Sequence, residues 1–368
     1  MRRPLLGLLA AGLASACGGS SGGSDNAPGD TPSPDATILI GAVQGSGSAS
    51  PLLGQTVTVG GVVTGDFQDN DADQQANLGG FYITGLPDPD IDSSDGIFVF
   101  DGDRPAVDVS VGDSVSVTGE VVEFFGETQL HVDSVSVVGR GDIQPAVLFS
   151  TVGTVLNSDG DPIADLERFE GMLVQFTNTL TVSDTFGLDQ FGTVRLTEGG
   201  RAFQFTNGNA PSVDGYADYR RELARRTIIL DDGRRDSAVR PVRYLRPDNP
   251  LRVGDQVKNL TGVLRYSRGS GGAGAQTWRL MPTQMPVFAR TNPRPSAPNP
   301  GGTLTVASIN MLNFFSSIDD GNPTCGPGGD SGCRGADSPE EYRRQLAKSV
   351  STLVAIDADI VGLIEIEN

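Results

Sequence analysis

The sequence predicts a mainly β N-terminal region followed by a strand-helix-strand unit of α/β type. Three observations carry this expectation. Short period-two segments separated by Gly and Asp turns recur between residues 36 and 290. A well-capped amphipathic helix pattern then opens at Ser338. That helix lies between two apolar strand patterns, Leu304–Ile309 and Ile360–Ile366.

Residues 1–17 read as a signal peptide rather than fold. Arg2 and Arg3 precede an apolar run, Leu5–Leu13, that is too short to span a bilayer permanently. Ala14-Ser15-Ala16 suits ordinary signal peptidase and a soluble secreted product. The same small residues before Cys17 also resemble a lipoprotein box, in which Cys17 is lipidated and anchors the chain at the cell surface, on a bacterial outer membrane. Residues 18–35, rich in Gly, Ser, Pro and Asp, have the composition of a flexible linker. The chain has three cysteines. Cys325 and Cys333 share a Gly/Pro/Asp loop and could close a disulfide in an oxidising compartment, which leaves Cys17 as the odd one.

Residues 36–140 form the first β block. Gln55–Thr64 and Val109–Val121 alternate at period two, with Gly80–Thr84 and Asp95–Phe100 between them, as in a small barrel or sandwich. Residues 148–290 form a second β-rich block, with strand patterns at Gly171–Phe176, Thr179–Val182, Thr193–Leu196 and Thr227–Leu230. The V-G-D-S-V that starts at Val111 returns as V-G-D-Q-V at Val253. Each is followed by a Thr-Gly pair, Thr118-Gly119 and Thr261-Gly262, with one more residue between in the second. Either the blocks are two copies of one barrel-like fold, or they share a common turn entry. A proline-rich linker, residues 291–302, separates them from residues 303–368.

In that last segment Ser338-Pro339-Glu340-Glu341 has the capping-box spacing with proline at the first helical position. Tyr342, Leu346, Val350, Leu353 and Val354 share one helical stripe. Strand, crossover helix, strand implies parallel neighbours, so Asn310 and Glu365 should meet at the carboxyl edge of a sheet. Glu365 interrupts an apolar run, where burying a carboxylate is costly unless something binds it. An amide and a carboxylate supply oxygen ligands suited to a hard cation such as Mg²⁺.

A net charge of −19 excludes a generally basic nucleic-acid binder, but not an enzyme that meets phosphate through bound divalent cations. Arginines crowd the span from Arg220 to Arg252, where they either guide a DNA backbone or pair with the interleaved acids. Phe81, Tyr82, Phe98, Phe100, Phe124 and Phe125 serve either as barrel core or as a stacking face for single strands. The loops Asp66–Asp73 and Asp88–Asp95 carry alternate carboxylates, which are either solvated or Ca²⁺-binding.

The segments V-A-S-I-N-M-L-N-F-F, C-R-G-A-D-S-P-E-E-Y-R-R-Q and D-A-D-I-V-G-L-I-E-I-E-N resemble the opening of the endonuclease/exonuclease/phosphatase, or DNase I-like, superfamily. The likeness is to its secreted bacterial branch of extracellular nucleases. Asp95-Gly-Ile-Phe-Val, Val111-Gly-Asp and Glu170-Gly-Met-Leu-Val resemble the β region that such nucleases carry ahead of the catalytic domain. The resemblance implies an OB-fold-like barrel, a second β-rich domain and the first β-α-β unit of an α/β four-layer sandwich. It implies that Asn310 is the active-site asparagine, that Glu365 ligates Mg²⁺ or Mn²⁺, and that extracellular DNA is the substrate. The superfamily also uses two histidines from later strands. The one histidine here, His131, lies in the first β block and is expected to be a plain strand residue. The chain as it stands is therefore expected to be a fragment without hydrolase activity. The alternatives are the same fold acting on a lipid or small phosphoester, and a non-catalytic surface binding module built on the β blocks.

Overall fold

The computed structural model describes residues 37–70, 76–141, 147–148, 152–246, 250–272 and 274–367. Cys17, Asp71, Asp73 and Asn368 lie outside the described residues. The described chain is mainly β and divides into two compact units, Met1–Asn292 and Pro293–Asn368, whose boundary falls inside the expected proline-rich linker.

The first β block is a closed five-stranded barrel. Its strands are β1 (Thr56–Phe67), β2 (Gly80–Thr84), β3 (Gly96–Phe100), β4 (Asp113–Phe124) and β5 (Glu127–Arg140). Each hairpin neighbour pairs antiparallel, β3 pairs β5 in parallel, and β4 returns to β1 to close the ring. β1 serves two partners because it is long: Thr56–Val62 lie on β4 and Val62–Phe67 on β2. The period-two pattern turns Val57, Val59, Val115, Val117 and Leu130 into the barrel core.

The second block repeats that pairing. Its strands are β6 (Leu173–Phe176), β7 (Leu180–Asp184), β8 (Val194–Glu198), β9 (Thr227–Leu230), β10 (Leu260–Ser267) and β11 (Thr277–Pro282). β6 and β7 divide the work of β1: β6 pairs β10, and β7 pairs β8. β9 then pairs β11 in parallel, as β3 pairs β5. The V-G-D turns dock identically. Gly112 N–H donates to the Val63 carbonyl at 2.8 Å and Gly254 N–H to the Val182 carbonyl at 2.7 Å. Asp113 accepts from Ser110 N–H and Asp255 from Arg252 N–H, each at 2.9 Å. Both glycines need positive φ, 92° and 100°. Thr118 hydrogen-bonds Thr58 across the sheet at 2.8 Å; at the matching place Gln175 donates to Thr261 at 2.9 Å. The extra residue of the second copy is absorbed at Asn259, in left-handed conformation with φ 52°, between the two-residue strand Gln256–Val257 and β10. The repeated turn therefore marks a repeated fold.

Helix α1 (Val213–Arg225) sits between β8 and β9 and was not legible as a helix among the arginines. Ser212 caps it, its Oγ accepting from Gly215 N–H at 3.1 Å. The barrels pack through Phe67, Tyr82 and Phe98 of the first against Val263 and Met281 of the second. Gly96 lies flat on the Gly171 backbone, where any Cβ would overlap it.

The second unit holds β12 (Val306–Phe314), α2 (Pro339–Ile356) and β13 (Ile360–Ile366). β12 and β13 pair in parallel, Ala307 facing Val361 and Asn310 facing Ile364, as the crossover pattern requires. Ser338 Oγ accepts from Glu341 N–H, and Tyr342 stacks on Phe314 with ring centroids 5.3 Å apart. Cys325 and Cys333 are disulfide-bonded. The larger α/β sandwich is not represented among the described residues, which give this unit one two-stranded sheet and one helix.

Candidate functional site

The strand ends of the second unit gather the residues singled out in the sequence. The β12–β13 register breaks between Asn310 and Phe314, and Leu312, Asn313 and Glu365 all take positive φ there. Asn310 Oδ1 accepts the Leu312 N–H at 2.8 Å, and Glu365 Oε2 accepts the Asn313 N–H at 3.2 Å. Gln345 reaches across from α2 and donates to the Leu312 carbonyl at 3.0 Å. Asn310 and Glu365 thus fasten opposite sides of one bulge. Left-handed conformations at three non-glycine residues cost energy, and such clusters occur where a backbone is shaped for a task.

One premise is overturned. Glu365 is exposed, not buried in an apolar strand, and Ile360, Leu363, Ile364 and Ile366 around it are exposed as well. Among the described residues of this unit α2 is the one helix beside the two-stranded sheet, and apolar composition did not become burial. The helical stripe shows the same: Leu346, Val350 and Val354 remain largely open.

The neighbouring carboxylate, Glu367, is more tightly held. Hydrogen bonds from the hydroxyls and N–H groups of Ser316 and Ser317 pull its pKa down to about 2. Sequence spacing alone did not reveal this clamp, since the serines lie 50 residues away.

Among the described residues no three His, Cys, Asp or Glu side chains converge as a metal site. The donors at the bulge are one carboxylate and one amide oxygen, a set that fits a hard cation keeping several waters. In the Asp88–Asp95 loop the carboxylates are turned onto their own chain: Asp88 accepts from Asp90 N–H and Ser93, and Asp90 from Asp92 N–H. That is turn stabilisation.

The arginine-rich span resolves into ion pairs. Arg220 meets Asp161, Arg221 meets Asp218, Arg225 meets Glu222, and Arg240 meets Asp189. Arg234 and Arg235, the latter also paired with Asp69 and Asp103, line a cavity of about 600 Å³ between the two barrels. The aromatics divide too. Phe81, Tyr82 and Phe98 are buried, whereas Phe124 and Phe125 stand exposed at the turn joining β4 to β5. Phe124 and Phe125 border the same cavity with Phe100 and His131, whose rings lie 4.9 Å apart. His131 is the strand residue expected of it.

Beneath the cavity lies a buried polar network that sequence reasoning missed. Glu127 accepts from Tyr82 Oη and Gln129 Nε2, each at 2.8 Å, and from Arg265 Nε at 3.1 Å. Burial disfavours the Arg265 charge, but Glu127, Tyr82 and Asp231 together outweigh it and hold the pKa above the ordinary arginine value. Burial and then Glu127 push the Tyr82 phenol well up. Asp231 pairs with Arg279 at 3.2 Å, yet its burial wins and raises its pKa. Such partners are invisible in sequence because they lie far apart along the chain, 138 residues for Glu127 and Arg265.

The sequence matches no protein-family model and no curated protein.

Proposed function

We propose that this chain belongs to a secreted or surface-anchored bacterial metal-dependent nuclease, with an OB-fold-like first barrel and a DNase I-like second unit. The observation that carries the reading is the bulge where Asn310 and Glu365 meet at the carboxyl ends of two parallel strands, joined by a capped helix. The first barrel's parallel β3–β5 pair within a five-stranded Greek-key ring supports the OB-like description. Extracellular DNA is the proposed substrate, and a lipid on Cys17 the proposed anchor.

Glu365 and Asn310 would hold Mg²⁺ or Mn²⁺, which supplies Lewis-acid stabilisation of a phosphodiester. Glu365 Oε2 accepts the Asn313 N–H, a bond that would hold the carboxylate in place for the cation. Asn310, tied to Leu312 N–H, keeps its amide plane set. No histidine lies in this unit, and histidine is the side chain that the resembled superfamily uses to activate water. The 368-residue chain is accordingly proposed to bind metal without turning over DNA.

Mn²⁺ titration followed by electron paramagnetic resonance tests the corner. Wild type should bind and Glu365→Ala should lose at least tenfold in affinity; equal binding by both removes Glu365 from the site. Plasmid nicking in Mg²⁺ should be absent; nicking by wild type would overturn the expected inactivity, and nicking that survives Glu365→Ala would remove Glu365 from the reaction. A second reading, a non-catalytic binding module, is favoured by the cavity between the barrels.

A further inference from the structure

The inter-barrel cavity combines features that a structural gap does not need. Its volume, about 600 Å³, is that of a small-molecule site. One wall is aromatic, with Phe124 and Phe125 49% and 62% exposed. Open phenylalanines in adjacent positions lose the burial that would reward them, yet this turn is fixed. Phe125 takes φ 52°, and its carbonyl accepts from Gln276 of the second barrel. The lining also carries charged side chains. Four arginines, Arg234, Arg235, Arg265 and Arg268, face two carboxylates, Glu127 and Asp231, in a chain of net charge −19. Arg235 is committed to Asp69 and Asp103, Arg265 to Glu127 and Arg268 to Asp159. Arg234 forms no ion pair among the described residues, and its backbone carbonyl is held by Ser270 Oγ at 2.6 Å. The Ser267–Gly272 loop also lines the cavity, with Gly269, Gly271 and Gly272 at positive φ and the Gly269 and Gly272 N–H groups bonded within the loop, to Ser267 Oγ at 3.3 Å and to the Gly269 carbonyl at 3.0 Å.

We propose that this cavity binds a nucleotide, its base stacking on the Phe124–Phe125 turn and its phosphate meeting Arg234. The shared chemistry is a planar aromatic ring bearing a phosphate, whether as a free mononucleotide or as the end of a single strand. The site is separate from the Asn310–Glu365 corner and stands without it. Because the cavity joins both barrels, it requires the pair of repeats rather than either one.

Calorimetric titration of the full chain in EDTA tests the proposal with metal chemistry silenced. The probes are adenosine 5′-monophosphate, adenosine, ribose 5-phosphate and a four-nucleotide single-stranded DNA. The monophosphate should bind at least tenfold more tightly than either half-molecule. Phe124→Ala/Phe125→Ala should weaken it tenfold or more, and Arg234→Gln should weaken phosphate-bearing probes while leaving adenosine unchanged. Tetranucleotide binding tighter than the monophosphate identifies a strand end as the natural ligand; equal binding identifies a free nucleotide. Circular dichroism melts establish that the variants fold. No binding by monophosphate or tetranucleotide, or unchanged binding by folded variants, overturns the proposal and leaves the nuclease reading untouched.

Discussion

Replacing Arg265 with methionine should destabilise the two-barrel unit by about 3–5 kcal/mol at pH 8, the usual cost of orphaning one member of a buried ion pair. The structure explains why the cost should sit in that range. Glu127 is 1% exposed and cannot turn to water. It keeps the Tyr82 and Gln129 donors but loses the Arg265 Nε bond at 3.1 Å and the only cation paired with it among the described residues. Methionine retains most of the alkyl stem, so the packing loss is small. Loss of the guanidinium over the Phe98 ring, 5.3 Å from its centroid, is included in that range. The orphaned carboxylate escapes by taking a proton, so the penalty should shrink as pH falls toward 5. In Arg265→Met/Glu127→Gln the charge is gone and an amide oxygen still accepts from Tyr82. That double variant should lie within about 2 kcal/mol of wild type, giving a coupling of at least about 1 kcal/mol. Urea melts at pH 8 and pH 5, read by the chain's one tryptophan, buried Trp278, measure all four corners of the cycle. A single-variant loss below about 1 kcal/mol at pH 8, or strictly additive losses, would refute the reasoning.

Burial, followed by Glu123 and Asp165, raises the Glu167 carboxyl from 4.5 to about 7. The fold thus favours its protonated form, and its stability contribution, complete below pH 4.5, is lost as pH rises to about 7. At about 1.4 kcal/mol per unit that bounds the loss near 3 kcal/mol, screened to about 1–2 by partial exposure. Glu167→Gln should flatten this slope in melts from pH 4 to 8, and an unchanged slope would clear Glu167. Gly96→Ala should wedge the barrels apart at Gly171 and cost about 2–4 kcal/mol, whereas Gly102→Ala, with open space around it, should cost far less despite its positive φ. Equal losses for the two would show that the barrels do not depend on this close approach. Reducing Cys325–Cys333 should raise amide exchange in residues 319–336 and leave protection of the β4–β5 ladder intact; loss of both would tie the disulfide to the barrels.

Much of the fold was legible because it is written in local chemistry. Val57, Val59, Val115 and Val117 alternate, so their strands could be read directly. Ser338 to Glu341 announced the start of α2. The duplicated V-G-D turn marked two barrels, since only glycine takes its backbone angle without cost. Helix α1 escaped notice because Gly215 and a run of charges hide its weak apolar face. The candidate corner was half legible: chain order placed Asn310 beside Glu365, but apolar composition wrongly implied burial.

By itself the sequence determined strands β1 to β4 and β6 to β9, but not β5, β10 or β11, and that two parallel strands would end on Asn310 and Glu365. Each of these follows from interactions within a few residues, or from chain direction alone. Only the tertiary structure decided which strands close each ring, that Glu127 meets Arg265, and that Phe124 and Phe125 line one cavity with Arg234. Those outcomes join residues up to 138 positions apart, 60 for Thr58 and Thr118, where no periodicity reaches. They are selected by packing the two barrels together as a whole.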